Sequence, residues 1–172
     1  MAVLARDEIL RRIRASEIRI EPFSEDQVGP ASVDLHLDNQ FRVFRRVREI
    51  FHVSEEASYE QVTELITVDD DDFFVLMPGE TAHGITRERV NLPDDLCGWL
   101  QGRSRFARIG LMVHITASFM HPGIDNRQAL EMNNAGPMPL AIRPGIAICQ
   151  FIFETTLGRA RYEGRFRNQL EP

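Results

Sequence analysis

Two short segments carry side chains able to do chemistry on a small molecule. The first is Gly102-Arg-Ser-Arg-Phe-Ala-Arg108. A glycine lets backbone approach a ligand closely. A serine capping a helix leaves amide N–H groups at the positive end of the dipole, and Arg103 and Arg108 add charged forks, so the segment can make an anion site. The same spacing also fits a capped helix with solvated arginines, and both readings stand on spacing alone. The second segment is Gln128-Ala-Leu-Glu-Met-Asn-Asn134. Glu131 lies inside a strand-like run between apolar Leu130 and Met132, so alternation turns it to the opposite face. Facing solvent it is an ordinary surface carboxylate; facing a pocket it can shuttle protons.

Other chemistries lack their residues. The 20 basic side chains are all arginine. Without lysine there is neither Schiff-base chemistry nor a P-loop lysine, and phosphate must be held by arginine forks, backbone N–H groups or a metal. Zinc-class nucleobase deaminases need a His/Cys-x-Glu segment with Pro-Cys-x-x-Cys, and this chain has no such pair. His114 and His121, separated across a strand and a turn, read as separate core or surface histidines. The run Asp69–Asp72 reads as a solvated turn. A formal net charge of −6 argues against a nucleic-acid polymer as partner, although a mononucleotide needs only a local cationic pocket. Cys97 and Cys149 read as two buried free thiols. There is no export pattern and no apolar run long enough for a membrane, so the expectation is a cytoplasmic protein.

Elements that would position these residues follow from periodicity. The 172 residues suit one domain. A short amphipathic helix begins near Asp7, with Ile9, Leu10 and Ile13 on one face. Strands are expected at 33–37, 40–47, 62–68, 73–77, 96–100, 111–117, 128–132, 140–142 and 146–153. Gly29-Pro30, Pro78-Gly79, Pro122-Gly123, Gly136-Pro137 and Pro144-Gly145 punctuate them. Leu140–Phe153 looks like a hairpin bent at Arg143-Pro144-Gly145. One helical island starts at Ser104 between Gly102 and Gly110. The polar residues 158–172 look, in isolation, like a tail. The pattern is all-β with minor α, a barrel or sandwich.

Several of these segments, in order, resemble the dCTP deaminase family of the dCTP deaminase/dUTPase superfamily. They are Ile20-Glu-Pro-Phe23, Gly29-Pro-Ala-Ser-Val-Asp-Leu35, Phe74-Val-Leu-Met-Pro-Gly79, the run Gly102–Ala117, Pro122-Gly123, Leu130-Glu131, Asn133, Arg143-Pro144-Gly145, Gln150, and Tyr162, Arg165 and Arg167-Asn-Gln169. The resemblance implies a distorted β-barrel of the dUTPase-like (β-clip) type with a short N-terminal helix and one short internal helix. It implies a single domain over 1–172, a homotrimer with sites between subunits, and 158–172 as a nucleotide-closing segment.

By the same resemblance the activity is zinc-independent deamination of dCTP to dUTP and ammonia, with Mg²⁺ carried by the triphosphate. Alternatives are a bifunctional deaminase–dUTP diphosphatase, a dUTPase-like enzyme giving dUMP, and a non-catalytic nucleotide-binding trimer. Glu131 matches the catalytic glutamate. Ser104 and Arg108 match residues around the attacking water and the base, Ile115 and Ala117 match backbone contacts, and Arg103 matches a triphosphate ligand. Tyr162, Arg165 and Gln169 match residues that fold over the nucleotide. This chain departs from the family at four substrate-facing places. His121 replaces an aspartate that contacts the sugar, Arg105 replaces a second serine, Asn126 replaces a glycine, and Ala129 replaces a threonine. Together these changes weaken diphosphatase activity more than deamination and leave a modified pyrimidine substrate open.

Overall fold

The computed structural model describes residues 2–45, 50–113 and 116–172. Helix α1 (Arg6–Arg14) buries Ile9 and Leu10, while Glu8 pairs with Arg11 at 2.7 Å and Arg12 at 3.0 Å on the outer side. These are i,i+3 and i,i+4 pairs, the spacing that faces one another on a helix.

Strands follow in the order β1 (Arg19–Glu21), β2 (Val33–His36), β3 (Gln40–Phe44), β4 (Thr63–Thr67), β5 (Phe74–Leu76), β6 (Thr81–Asn91) and β7 (Leu96–Gly102). Helix α2 (Ser104–Ala107) then precedes β8 (Leu111–Val113), β9 (Phe119–Met120), β10 (Asp125–Asn134), β11 (Leu140–Ile142) and β12 (Ala147–Thr155). Single 3-10 turns lie at Glu25–Gln27 and Tyr59–Gln61.

Among the described residues, three antiparallel sheets wrap one core. The largest runs β4-β3-β6-β10-β8, with β1 also on β6. The second runs β2-β12-β7-β9, and β11 pairs with β5. They do not close into a continuous barrel, as the distorted architecture expected. Alternation drives the arrangement: β10 buries every second residue from Asn126 to Asn134, and β2 and β7 bury Val33, Leu35, Leu96 and Leu100 completely. Phe151 and Phe153 of β12, both fully buried, pack ring against tilted ring at 4.7 Å in the centre.

Four expectations need correction or completion. Leu140–Phe153 is not a hairpin: β11 pairs with β5, whereas β12 pairs with β2 and β7. The Pro144-Gly145 bend moves the chain between sheets instead of folding it back. Second, β6, the 11-residue hub of the largest sheet, was not anticipated. Its buried positions include Ala82, Gly84, Thr86 and Glu88, which are small or polar and leave no apolar alternation to read. Third, β1 and β9 are too short to carry a pattern. Fourth, α2 starts at Ser104, but its N-cap is Arg103 and no side chain caps it. The expected strands 40–47 and 111–117 form at Gln40–Phe44 and Leu111–Val113; positions 46–49, 114 and 115 lie outside the described residues. Asp69–Asp72 is an exposed turn, with Asp72 N donating to Asp69 O at 2.9 Å.

Candidate active site

A cavity of about 320 Å³ opens beside β10. That strand supplies Asn126, Arg127, Gln128, Ala129 and Glu131, and β6 supplies His83. The chain between β8 and β10 adds Ala117, Phe119 and His121; the C-terminal segment adds Tyr162, Phe166 and Gln169; Tyr59 completes the wall.

Glu131 faces the cavity because of strand alternation. Leu130 and Met132 are fully buried on the opposite face, and Oε2 of Glu131 is itself buried. Register with β6 sets Glu131 directly across from His83. Arg127 pairs with Arg89 and Ala129 with Ile85, so Gln128 alone faces Thr86, Arg87 and Glu88 of β6, and side-chain alternation along β10 continues through this irregularity. Thr86 ties it to β10. Its Oγ accepts from Gln128 N at 2.9 Å and donates to Glu88 O at 2.8 Å. Arg127 fastens the outer side, donating Nε to Thr86 O at 2.6 Å and pairing with Asp38.

His121 occupies the turn where the family resemblance expects an aspartate. Its ring stacks on Tyr162 at 5.1 Å and 4° and meets Phe119 edge-on at 4.9 Å. Phe119 in turn contacts Trp99 at 5.1 Å. Tyr162 is held from below, its N–H donating to Pro122 O at 2.8 Å.

Residues 162–172 are therefore not a free tail within this chain. Asp125 N donates to Arg167 O at 3.2 Å and Arg127 N to Gln169 O at 2.9 Å. Asn126 Nδ2 donates to Phe166 O at 2.6 Å, and Arg42 Nε to Pro172 O at 2.6 Å. This network lays the segment along the outer half of β10 and across the cavity.

The expected residues divide into two groups. Glu131, Ala117, His121, Ala129, Tyr162 and Gln169 meet at one cavity. Arg165 lies in the adjoining groove, 3.5 Å from Glu60. Arg103, Ser104, Arg105 and Arg108 do not line the cavity of their own chain. Arg103 instead pairs with Asp34 at 3.0 Å and donates to Ala147 O at 3.2 Å, and Ser104, Arg105 and Arg108 are exposed. Ile115 lies outside the described residues.

Sequence reasoning missed His83, Tyr59, Phe119 and Gln128 as lining residues. For His83 the available signal was the content of Thr81–Asn91, with Thr81, Ile85, Thr86 and Val90 between Pro78-Gly79 and Pro93, since β-branched residues favour strands. Burial holds the His83 imidazole below the ordinary histidine value, with Glu131 opposing and Arg42 adding to the effect. Among the described residues no group of three or more His, Cys, Asp or Glu is placed to hold a metal ion. Cys97 and Cys149 are both buried and unpaired with one another; burial raises both thiols above the usual range.

A family model described as dCTP deaminase-like matches residues 3–156. A Parafrankia protein named dCTP deaminase, dUMP-forming, is 38% identical over 99% of this chain and 88% of its own length. A Rhodospirillum rubrum dCTP deaminase is 40% identical over 98% of this chain and 93% of its own. Among solved structures, the 2′-deoxycytidine 5′-triphosphate deaminase of Agrobacterium tumefaciens superposes with a TM-score of 0.69 at 20% identity, over 90% of this chain. This chain spans about half of that longer one, 48%. A dUTPase from phage phi11 of S. aureus gives 0.51 at 13% identity over 86% of this chain and 96% of its own. These two superpositions concern the fold alone.

Proposed function

Since the chain belongs to the dCTP deaminase-like family, we propose that it deaminates dCTP hydrolytically to dUTP and ammonia, with Glu131 as the group that moves protons. The observation that carries this reading is convergence. Six residues that the sequence assigned to substrate, Glu131 among them, line one cavity of about 320 Å³.

The cavity suits a flat polar ring. Tyr59, Phe119, Tyr162 and Phe166 supply aromatic walls, and Asn126, Gln128 and Gln169 supply amide donors and acceptors at its edge. Water attack at C4 of cytosine needs a base and then an acid at one place, and a single carboxyl group can alternate. Glu131 takes a proton from the water as its oxygen bonds to C4. It passes that proton to ring nitrogen N3, then takes the second proton from the new C4 hydroxyl and gives it to the exocyclic nitrogen, so that the C4–N4 bond breaks and ammonia leaves as the C4 carbonyl forms. Water and dCTP thus give dUTP and ammonia in balance.

The triphosphate needs more cations than the cavity of one chain gathers, where Arg127 is itself paired with Asp38. Arg103, with Arg105 as a further fork, would reach it from a neighbouring copy in a homotrimer; Ser104 and Arg108 would stand around the attacking water and the base, and Ile115 and Ala117 would offer backbone contacts to the base and water. Magnesium would arrive on the triphosphate as part of the substrate. Arg165, beside the cavity mouth, and Gln169 would close over the phosphates. Two free, buried thiols support a reducing, cytoplasmic setting. No helix among the described residues is long and apolar enough to cross a membrane.

A second reading, dUMP formation, has support in the names of relatives such as the Parafrankia protein. Against it stands His121, which brings no fixed negative charge to the turn that would order a phosphate-attacking water. The test is incubation with dCTP, dUTP or CTP and Mg²⁺, with chromatography of products. dUTP and ammonia from dCTP support deamination alone, and dUMP with diphosphate supports the second reading. Glu131→Gln is expected to bind dCTP and release no ammonia. Substantial turnover by that variant would remove Glu131 from the mechanism.

A further inference from the structure

Three strands place three unlike side chains in one row across the sheet. In the register, Arg42 of β3 is opposite His83 of β6, and His83 is opposite Glu131 of β10. Directly opposed residues have Cβ atoms about 4.5–5.5 Å apart. His83 and Glu131 line the same cavity. The His83 ring is fixed from the side by two edge-on aromatics, Phe44 at 5.4 Å and Tyr59 at 6.0 Å. The Arg42 guanidinium lies over the Tyr59 ring, 5.3 Å from its centroid, and Arg42 Nε donates to Pro172 O.

We infer that His83 is a positioning residue for the reaction, orienting the Glu131 carboxyl group from the adjacent strand. The inference rests on the deaminase reading above. It follows from what an alternating carboxyl group requires of a neighbour. An arginine there would hold it ionised, and an aliphatic side chain would offer it nothing. An uncharged imidazole presents one N–H donor and one ring-nitrogen acceptor, so it can serve the carboxylate and the carboxylic acid in turn. Enclosure favours that uncharged ring. Among the described residues, the charged groups facing His83 are Arg42 from β3 and Glu131 from β10, with the Tyr59 phenol beside them. Protonation of His83 would hold Glu131 as the carboxylate and slow the step in which it gives up its proton.

The test uses the full chain with dCTP and Mg²⁺. His83→Leu is expected to lower kcat by about ten-fold or more, with KM changed less than about three-fold, as for an interaction made mainly in the transition state. His83→Gln, whose amide keeps a donor and an acceptor but does not titrate, is expected to recover most of kcat. It is also expected to lack the acid-side inflection in kcat that is expected of the unsubstituted chain. A second measurement needs no turnover. The His83 imidazole is titrated by NMR in the unsubstituted chain and in Glu131→Gln, and its midpoint is expected to fall by about one pH unit when the carboxylate is removed. An unmoved midpoint overturns the inference, as does a His83→Leu variant with unchanged kcat and pH profile. Failure of the unsubstituted chain to release ammonia would overturn the deaminase reading instead, and the NMR titration would still decide whether His83 and Glu131 are coupled.

Discussion

Gly98→Ala is the most demanding test of the core that carries the α2 segment. Gly98 lies in β7 opposite Phe153 of β12. A Cβ there would stand 2.6 Å from Cζ of Phe151, closer still to Cε1, and 2.8 Å from the backbone oxygen of Ile152. Neither neighbour can yield cheaply. Phe151 is fully buried and packed against Phe153, and the Ile152 oxygen belongs to a strand paired on both sides. Overpacking typically costs 1–3 kcal/mol, and obstruction by a ring and by backbone together puts this substitution at about 3 kcal/mol. Urea unfolding at one protein concentration would measure it as a lower midpoint with unchanged slope. Shortening the ring relieves the clash, so Phe151→Leu should cost about 1–2 kcal/mol less in the Gly98→Ala background than alone. A Gly98→Ala variant within about 0.5 kcal/mol of the original, or strictly additive substitutions, would refute the packing argument. The functional corollary follows the chain: β7 ends at Gly102 and α2 begins at Ser104, so a shifted β7 should also weaken triphosphate binding.

Tyr162→Ala removes the stack on His121. A ring pair contributes about 0.5–1.5 kcal/mol beyond its buried area, so dCTP affinity of the Glu131→Gln protein should fall about ten-fold by calorimetry; equal affinity would mean that docking of 162–172 does not assist binding. Stability should decline in mild acid. The folded midpoint of His83 lies below its unfolded value of about 6.5, so the unfolded chain binds the proton first. The His83 contribution is complete above that value and is lost as pH falls toward the folded midpoint. His83→Gln should flatten this part of a plot of unfolding free energy against pH, and an unchanged slope would contradict it. A zinc-selective chelator should leave ammonia release intact, whereas removal of Mg²⁺ should reduce it; the opposite pattern would point to a protein-bound metal.

What was legible in the sequence depended on where the chemistry of burial is apolar. β2, β5, β11 and β12 carry Val, Leu, Ile and Phe at their inward positions, and alternation located them. The orientation of Glu131 came from the same rule, through Leu130 and Met132. β6 escaped because its interior includes Gly84, which has no side chain, and Thr86 and Glu88, whose partners are other polar groups: Glu88 bonds Gln27 at 2.9 Å and His36 N at 2.8 Å. Long-range hydrogen bonds of this kind leave no local pattern. His83 was missed together with its strand. The end segment read as a tail because its docking uses backbone groups of Phe166, Arg167 and Gln169 against β10, and backbone groups have no sequence signature. Pairing partners of β11 and β12 were likewise a matter of topology. The four residues Arg103, Ser104, Arg105 and Arg108 were found as a motif, yet none of them lines the cavity of its own chain.

Alternation along β10 runs unbroken past Gln128, and it fixes the face that every later side chain of the strand takes. Side chains on a strand have two options, inward or outward, and sliding the strand by a single position exchanges them all. Were β10 to slip one residue against β6, Leu130 would point into the cavity and the carboxyl group would be driven into hydrocarbon. The hydroxyl of Thr86, accepting from Gln128 N where β6 carries its extra residues, fastens the two strands at that point and so helps keep an acid, and not a leucine, turned toward the cavity. Inserting or deleting one residue between Gln128 and Glu131 would silence the enzyme even if every side chain of the cavity were retained.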